Sequence, residues 1–212
     1  MQDKETNTEW SHILGRAMAG KLKGTKLTII PSVMTNWERW QQDHPNTTVT
    51  TLSHVLSEFT TNFLKTDSNR FGLGLAHGGQ ARFWRFKHLL IEQVVNDSLA
   101  KQPIVVFFDV PSRTPVAWSR QITPTASQLD NSTRKKEVSS TGDKSIDSSG
   151  LLTFRMTAQG VQDAETQSFW DLRNGIATSG PLKGTRLSAL PAIVSFSRSW
   201  HRFHPDSTEW KP

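Results

Sequence analysis

The chain aligns with itself. Shifted by 160 residues, Asp3-x-Glu5-Thr6 meets Asp163-x-Glu165-Thr166, and Trp10, Gly15 and Ala17 meet Trp170, Gly175 and Ala177. Gly20-x-Leu22-Lys23-Gly24-Thr25 meets Gly180-x-Leu182-Lys183-Gly184-Thr185, and Leu27, Pro31, Trp40 and His44-Pro45 meet Leu187, Pro191, Trp200 and His204-Pro205. Sixteen of 43 positions are identical between residues 3–45 and 163–205, with no gap. Self-similarity at a fixed offset constrains a fold before any local propensity does. This offset is too long for a solenoid unit and is the size of a domain. The 212 residues then hold one complete unit, residues 53–212, preceded by the C-terminal tail of a truncated first unit, residues 1–52. A segment of that length closes no core of its own, so it is expected to pack against the second unit.

Both tails predict the same local structure. An Asp-x-Glu-Thr turn precedes a Trp-bearing segment, then a Gly-rich loop, a short strand (Lys26–Ile30 or Arg186–Leu190) and a short helix. In the first tail, Thr35 and Glu38 fit a capping box, and the proline after each His ends the helix. Ser195–Phe203 takes this part in the second tail. Between the tails, Phe71–Ala76 and Gln80–Phe86 read as a hairpin turning at His77-Gly78-Gly79. Lys87–Val95 has helical spacing, and Pro103–Asp109 reads as a buried strand paired with Val116–Arg120. Leu151–Thr157 reads as a further strand. Residues 123–150 contain 11 Ser or Thr and no aromatic residue, which predicts a disordered insertion, since so little burial does not offset ordering entropy. The expected class is α+β: an antiparallel β-rich domain with short helices, plus the tail of a second repeat copy.

Composition removes whole chemistries. With no Cys, disulfide scaffolds, thiolate metal sites and thiol nucleophiles are excluded. No signal peptide is visible in the polar residues 1–12, and the longest apolar runs, such as Ile104–Phe108, are strand-sized. The compartment stays open, and an extracytoplasmic one is compatible with a start upstream of Met1. The net charge of +6 raises nucleic-acid binding as the weakest alternative. The cations are scattered, though, and their one run, Arg134-Lys135-Lys136, lies in the insertion, so a solvated surface is the preferred reading.

Several motifs in fixed order carry a resemblance. They are Gly74-Leu75-Ala76-His77-Gly78-Gly79-Gln80-Ala81-Arg82, Val95-Asn96-Asp97, Pro103-Ile104-Val105-Val106, Leu152-Thr153-Phe154, the Asp163–Trp170 turn, the Gly180–Leu187 loop and His204-Pro205-Asp206. Over nearly its whole length the chain resembles the bacterial and archaeal family called domain of unknown function 3179, whose long members have two related halves. The resemblance implies kinship to the C-terminal part of a two-unit member and no particular reaction. Many family units carry Cys-Pro-x-Cys or Cys-Pro-x-Thr after the buried strand, which would imply thiol or metal chemistry. Here the matching stretch is Asp109-Val110-Pro111-Ser112, with Asp109 where the cysteine would stand.

Candidate site residues follow. Asp109 ends a buried strand and is the first catalytic candidate, together with His77 and His88; a turn-forming Asp is the competing reading. His44, His201 and His204 are weak metal candidates, since neutral imidazole is a common ligand; for His44 and His204 the competing role is ending a helix. The acids Asp3, Glu5, Asp163 and Glu165 suit acid–base work or turns that cap the Trp segment. The Gly-rich loops lack the spacing of a phosphate-binding loop. Trp10, Trp40, Trp170 and Trp200 read as core rather than as a stacking platform. No cofactor is assigned. A non-catalytic binding or structural module is the preferred function, with an enzyme or metal protein using Asp109 and a nearby His as the alternative.

Overall fold

A computed structural model describes residues 1–49, 68–122 and 150–212. The expected insertion at 123–150 therefore lies outside the described residues, apart from Gly150. Four sheets form among those described. Strands β1 (Glu9–Ser11) and β2 (Arg16–Ala19) make an N-terminal hairpin. Strands β3 (Phe71–His77) and β4 (Gln80–Arg85) pair antiparallel, flanked by β12 (Ile193–Phe196) and by the short parallel β13 (Thr208–Glu209). Strands β5 (Val94–Leu99), β6 (Gln102–Asp109) and β7 (Thr114–Ser119) form a three-stranded antiparallel sheet. Strands β8 (Phe154–Thr157), β9 (Gly160–Asp163), β10 (Phe169–Asp171) and β11 (Ile176–Ser179) form an antiparallel meander. Three short helices accompany them: α1 (Trp37–Asp43), α2 (Phe86–Leu89) and α3 (Ser197–Phe203). The class is α+β and strand-dominated, as expected.

The continuous apolar run of β6 has a physical cause. Alternate side chains of a strand point to opposite faces, and both faces of the β5–β6–β7 sheet are buried. Ile104, Val106 and Phe108 join Leu73, Leu75, Trp84, Phe86 and Leu89 in one core. Val105 and Phe107, with Val116 and Trp118 of β7, join Phe154, Val161, Trp170, Leu172, Leu182 and Leu187 in the other. The sheet is thus the middle layer between β3–β4 and the C-terminal meander. Asn96 clamps the layers: its side chain donates to Phe154 O (2.7 Å) and accepts from Phe154 N (2.9 Å). Helix α3 covers the outer face of β3 and β4, where Trp200 lies so close to Gly74 that a Cβ there would come within 2.4 Å of the indole.

Several expected elements differ. Helix α2 stops at Leu89, and Val94–Leu99 is strand, because Val94 and Val95 pair with Phe107 and Val106 and Val95 is buried between layers; sheet packing overrides helical spacing. The cap of α1 is Asn36, whose side chain accepts from Arg39 N (2.8 Å), rather than Thr35. Ser195 belongs to β12, not to α3. Leu151 makes an isolated bridge to Gln121 before β8 begins. Lys26–Ile30 and Arg186–Leu190 are not regular strands. The second divides its hydrogen bonds between two sheets: Leu187 N donates to Gly175 O (2.8 Å), Ser188 O accepts from Ser119 N (2.8 Å), and Leu190 N donates to Ala117 O (2.9 Å).

Candidate functional site

Each acid turn folds around one carboxylate. Asp163 accepts from Thr166 N (2.5 Å), Thr166 Oγ1 (2.8 Å) and Trp170 Nε1 (2.9 Å). Asp3 accepts from Thr6 N (2.7 Å), Thr6 Oγ1 (2.8 Å) and Trp10 Nε1 (2.9 Å). These donors, the Trp10 indole first, hold the Asp3 carboxyl at about 2, below its ordinary 3.8. Thr8 Oγ1 then accepts from Leu22 N (3.2 Å), as Ser168 Oγ does from Leu182 N (3.0 Å). Both Gly-rich loops close through the same backbone bonds: Gly24 N to Ala17 O (3.0 Å) beside Gly184 N to Ala177 O (2.8 Å). The hairpins share a register as well, with Trp10 opposite Ala17 and Trp170 opposite Ala177. The acids are turn-builders in both places.

Asp109 also builds a turn. At the end of β6 it accepts from Ser112 N (3.2 Å) and from Ser112 Oγ. The hydroxyl chain continues from Ser112 Oγ to Thr114 Oγ1 (2.7 Å) and on to Thr35 Oγ1 (2.7 Å). Among the described residues, this last is the one hydrogen bond that joins residues 1–49 to the rest. No described histidine bonds to Asp109. His77 sits at the β3–β4 turn beside the start of β6, where Gln80 Oε1 accepts from Ala100 N (3.1 Å). The length of β6, about 23 Å at 3.3 Å per residue, separates that end from Asp109. His88 lies edge-on to Trp210 (6.3 Å), and burial, helped by Lys87 and Arg85, lowers its pKa.

Of the weak metal candidates, His201 has both ring nitrogens engaged, while His204 Nε2 is buried without a hydrogen-bond partner among the described residues. His44 N donates to Trp40 O and His204 N to Trp200 O, both at 2.8 Å, and each ring stacks on its tryptophan at 4.1 Å and 4.2 Å. Burial lowers the pKa of His204 and favours the neutral ring. His201 Nδ1 donates to Ser197 O (2.7 Å), while Nε2 faces Glu209 (3.3 Å), which also pairs with Arg85. Among the described residues no three His, Cys, Asp or Glu side chains gather as a metal site would require.

What sequence reasoning missed is the difference between the two tails. In the C-terminal tail Leu182, Leu187 and Trp200 are 1%, 2% and 1% exposed; their counterparts Leu22, Leu27 and Trp40 are 37%, 49% and 38% exposed. Ile30, Val33, Met34 and Trp37 are exposed as well. Met1, Trp10, His12, Ile13 and Met18 of the N-terminal segment and Phe203 at the end of α3 line an open groove of about 520 Å³. In one tail Leu182 and Leu187 are buried against the middle sheet and Trp200 against the outer face of β3–β4, while the other presents the same apolar positions outward. Charge sets the second apart further: Arg16, Lys21, Lys23 and Lys26 are exposed on it, and residues 10–37 contain no acid. Exposed apolar side chains in such number are characteristic of interaction sites. The signal available in sequence was that the Leu and Trp positions recur while the β5–β6–β7 motifs appear only once.

A family model described as "Protein of unknown function (DUF3179)" matches residues 1–65 and 65–207. No curated protein and no solved structure matches the chain.

Proposed function

The chain belongs to the DUF3179 family, and from that premise we propose that it is a non-catalytic binding module whose working surface is the apolar face of residues 3–45. In this reading residues 1–52 correspond to the C-terminal part of a repeat unit and residues 53–212 to a complete one. One observation carries the proposal: Leu22, Leu27 and Trp40 are exposed where Leu182, Leu187 and Trp200 are buried. Full burial of a Leu removes apolar surface worth about 1.5–3 kcal/mol from water, and part of that free energy is still unrealised at Leu22 and Leu27. The use of Asp109, His44 and His204 in turns and helix ends fits a scaffold role for them.

The test is binding of 8-anilinonaphthalene-1-sulfonate, an apolar anion suited to an apolar face on a segment with exposed Arg16, Lys21, Lys23 and Lys26. The expected result is strong fluorescence enhancement by the wild-type chain. It should be lost in Leu22→Asp/Leu27→Asp with the near-UV circular dichroism unchanged. A wild-type chain that leaves the dye dark contradicts the proposal.

A further inference from the structure

Helix α1 starts in a register that its own sequence does not favour. Thr35-Asn36-Trp37-Glu38 offers a capping box, with Thr35 as cap and Glu38 three residues on. The cap is instead Asn36, whose φ of −84° and ψ of 162° are extended and whose side chain accepts from Arg39 N (2.8 Å). The residue three beyond Asn36 is Arg39, a donor only, so the box is forgone. The two registers exclude each other. With Thr35 as cap, Asn36 becomes the first helical residue and its ψ turns from extended to helical.

The C-terminal segment keeps the corresponding register for a different reason. Helix α3 also begins one residue past an extended cap, Phe196, which makes no side-chain capping bond. Ser195 and Phe196, the counterparts of Thr35 and Asn36, are strand residues of β12, paired with Gly72 and Phe71. Residues 31–36 belong to no strand. Among the described residues Thr35 is held instead by the bond between its Oγ1 and Thr114 Oγ1 (2.7 Å). Thr114 is buried and tied through Ser112 Oγ (2.7 Å) to Asp109, so its hydroxyl is a fixed anchor. One side-chain bond stands where strand pairing stands in the second segment.

We infer that α1 is a two-register element whose start is selected by the β6–β7 turn. Docking of Thr35 on Thr114 holds the register capped by Asn36. Release of Thr35 lets it cap the helix together with Glu38, which lengthens α1 by one residue. By residue type the two caps are close in strength, with Asn slightly ahead of Thr, and the box offsets that difference. A single hydroxyl contact is then enough to decide between the two conformations. Whatever frees Thr35 at that turn is thereby read out at the start of α1. This coupling is independent of the binding reading above.

The test is nuclear magnetic resonance of the full chain, wild type against Thr114→Val, which keeps the shape of the anchor and removes its hydroxyl. In the wild type the Asn36 Cα shift is expected at an extended value. In Thr114→Val it should move to a helical value, and the Glu38 amide, which the Thr35 hydroxyl then accepts from, should gain exchange protection. Thr35→Val/Thr114→Val lacks the alternative cap and should keep Asn36 extended. An Asn36 that stays extended in Thr114→Val with near-UV circular dichroism unchanged overturns the inference. So does an Asn36 already helical in the wild type, or one that turns helical in the double variant. If Thr114→Val fails to fold, Asn36→Ala decides, at a position that is only partly buried. Ala is a poor cap, so residue 36 should turn helical and the Glu38 amide gain protection. A residue 36 that stays extended there overturns the inference.

Discussion

Residues 3–45 and 163–205 repeat the same carboxylate turn, hairpin register, loop closure and His–Trp stack, and differ in what lies over them. In the C-terminal segment the middle sheet covers Leu182 and Leu187, and Trp200 sits over Gly74 against Phe83. In the N-terminal segment the corresponding side chains meet solvent. Local hydrogen bonds fix the shape of this motif, and burial of its apolar face is a separate contribution. Most of the stability of such short elements comes from tertiary packing rather than from local preference.

That separation predicts unequal responses to equal substitutions. The largest gap belongs to the helix tryptophans. Trp200→Ala should cost about 3–5 kcal/mol in chemical unfolding, as buried aromatic truncations do, and Trp40→Ala about 1 kcal/mol or less. Next, Leu187→Ala should cost about 2–5 kcal/mol, while Leu27→Ala should stay within about 0.5 kcal/mol. Equal costs for either pair would mean that the N-terminal face is covered in solution. Gly175→Ala should cost about 1 kcal/mol more than Gly15→Ala: both take a left-handed conformation, but the first presses a Cβ onto the rigid, buried indole of Trp118 and the second onto the flexible end of Ile29. Melting both variants checks this order.

The smallest effect is electrostatic. Asp3 has its pKa depressed on folding, so its contribution to stability is present above its unfolded pKa of about 4 and is lost as pH falls toward about 2. Trp10→Phe removes the strongest of its donors and should bring the Asp3 carboxyl resonance to titrate closer to 3.8. An unchanged titration would mean that the indole bond is absent in solution.

Much of the frame was legible in sequence, for reasons that particular residues show. The β3–β4 hairpin is announced by His77-Gly78-Gly79, and the doubly buried β6 by its unbroken apolar run. The roles of Asp3 and Asp163 follow from the short reach of an Asp-x-x-Thr turn. Elements decided by distant partners were not legible. Val94 and Val95 carry helical spacing yet pair with β6, and residues 186–190 split their hydrogen bonds between sheets. The candidate face was hidden for the same reason. Leu22 and Leu182 are the same residue in the same local sequence, and only the presence of a covering sheet makes one surface and the other core.

Residue-resolved amide hydrogen exchange tests this most directly, at Ala17, Gly24 and Leu27 against Ala177, Gly184 and Leu187, whose N–H groups make equivalent hydrogen bonds. The N-terminal amides should be protected relative to open chain yet exchange through local opening, far faster than the C-terminal set, which should open only with the whole fold. Matched protection in the two sets, surviving to the same denaturant concentration, would contradict the account.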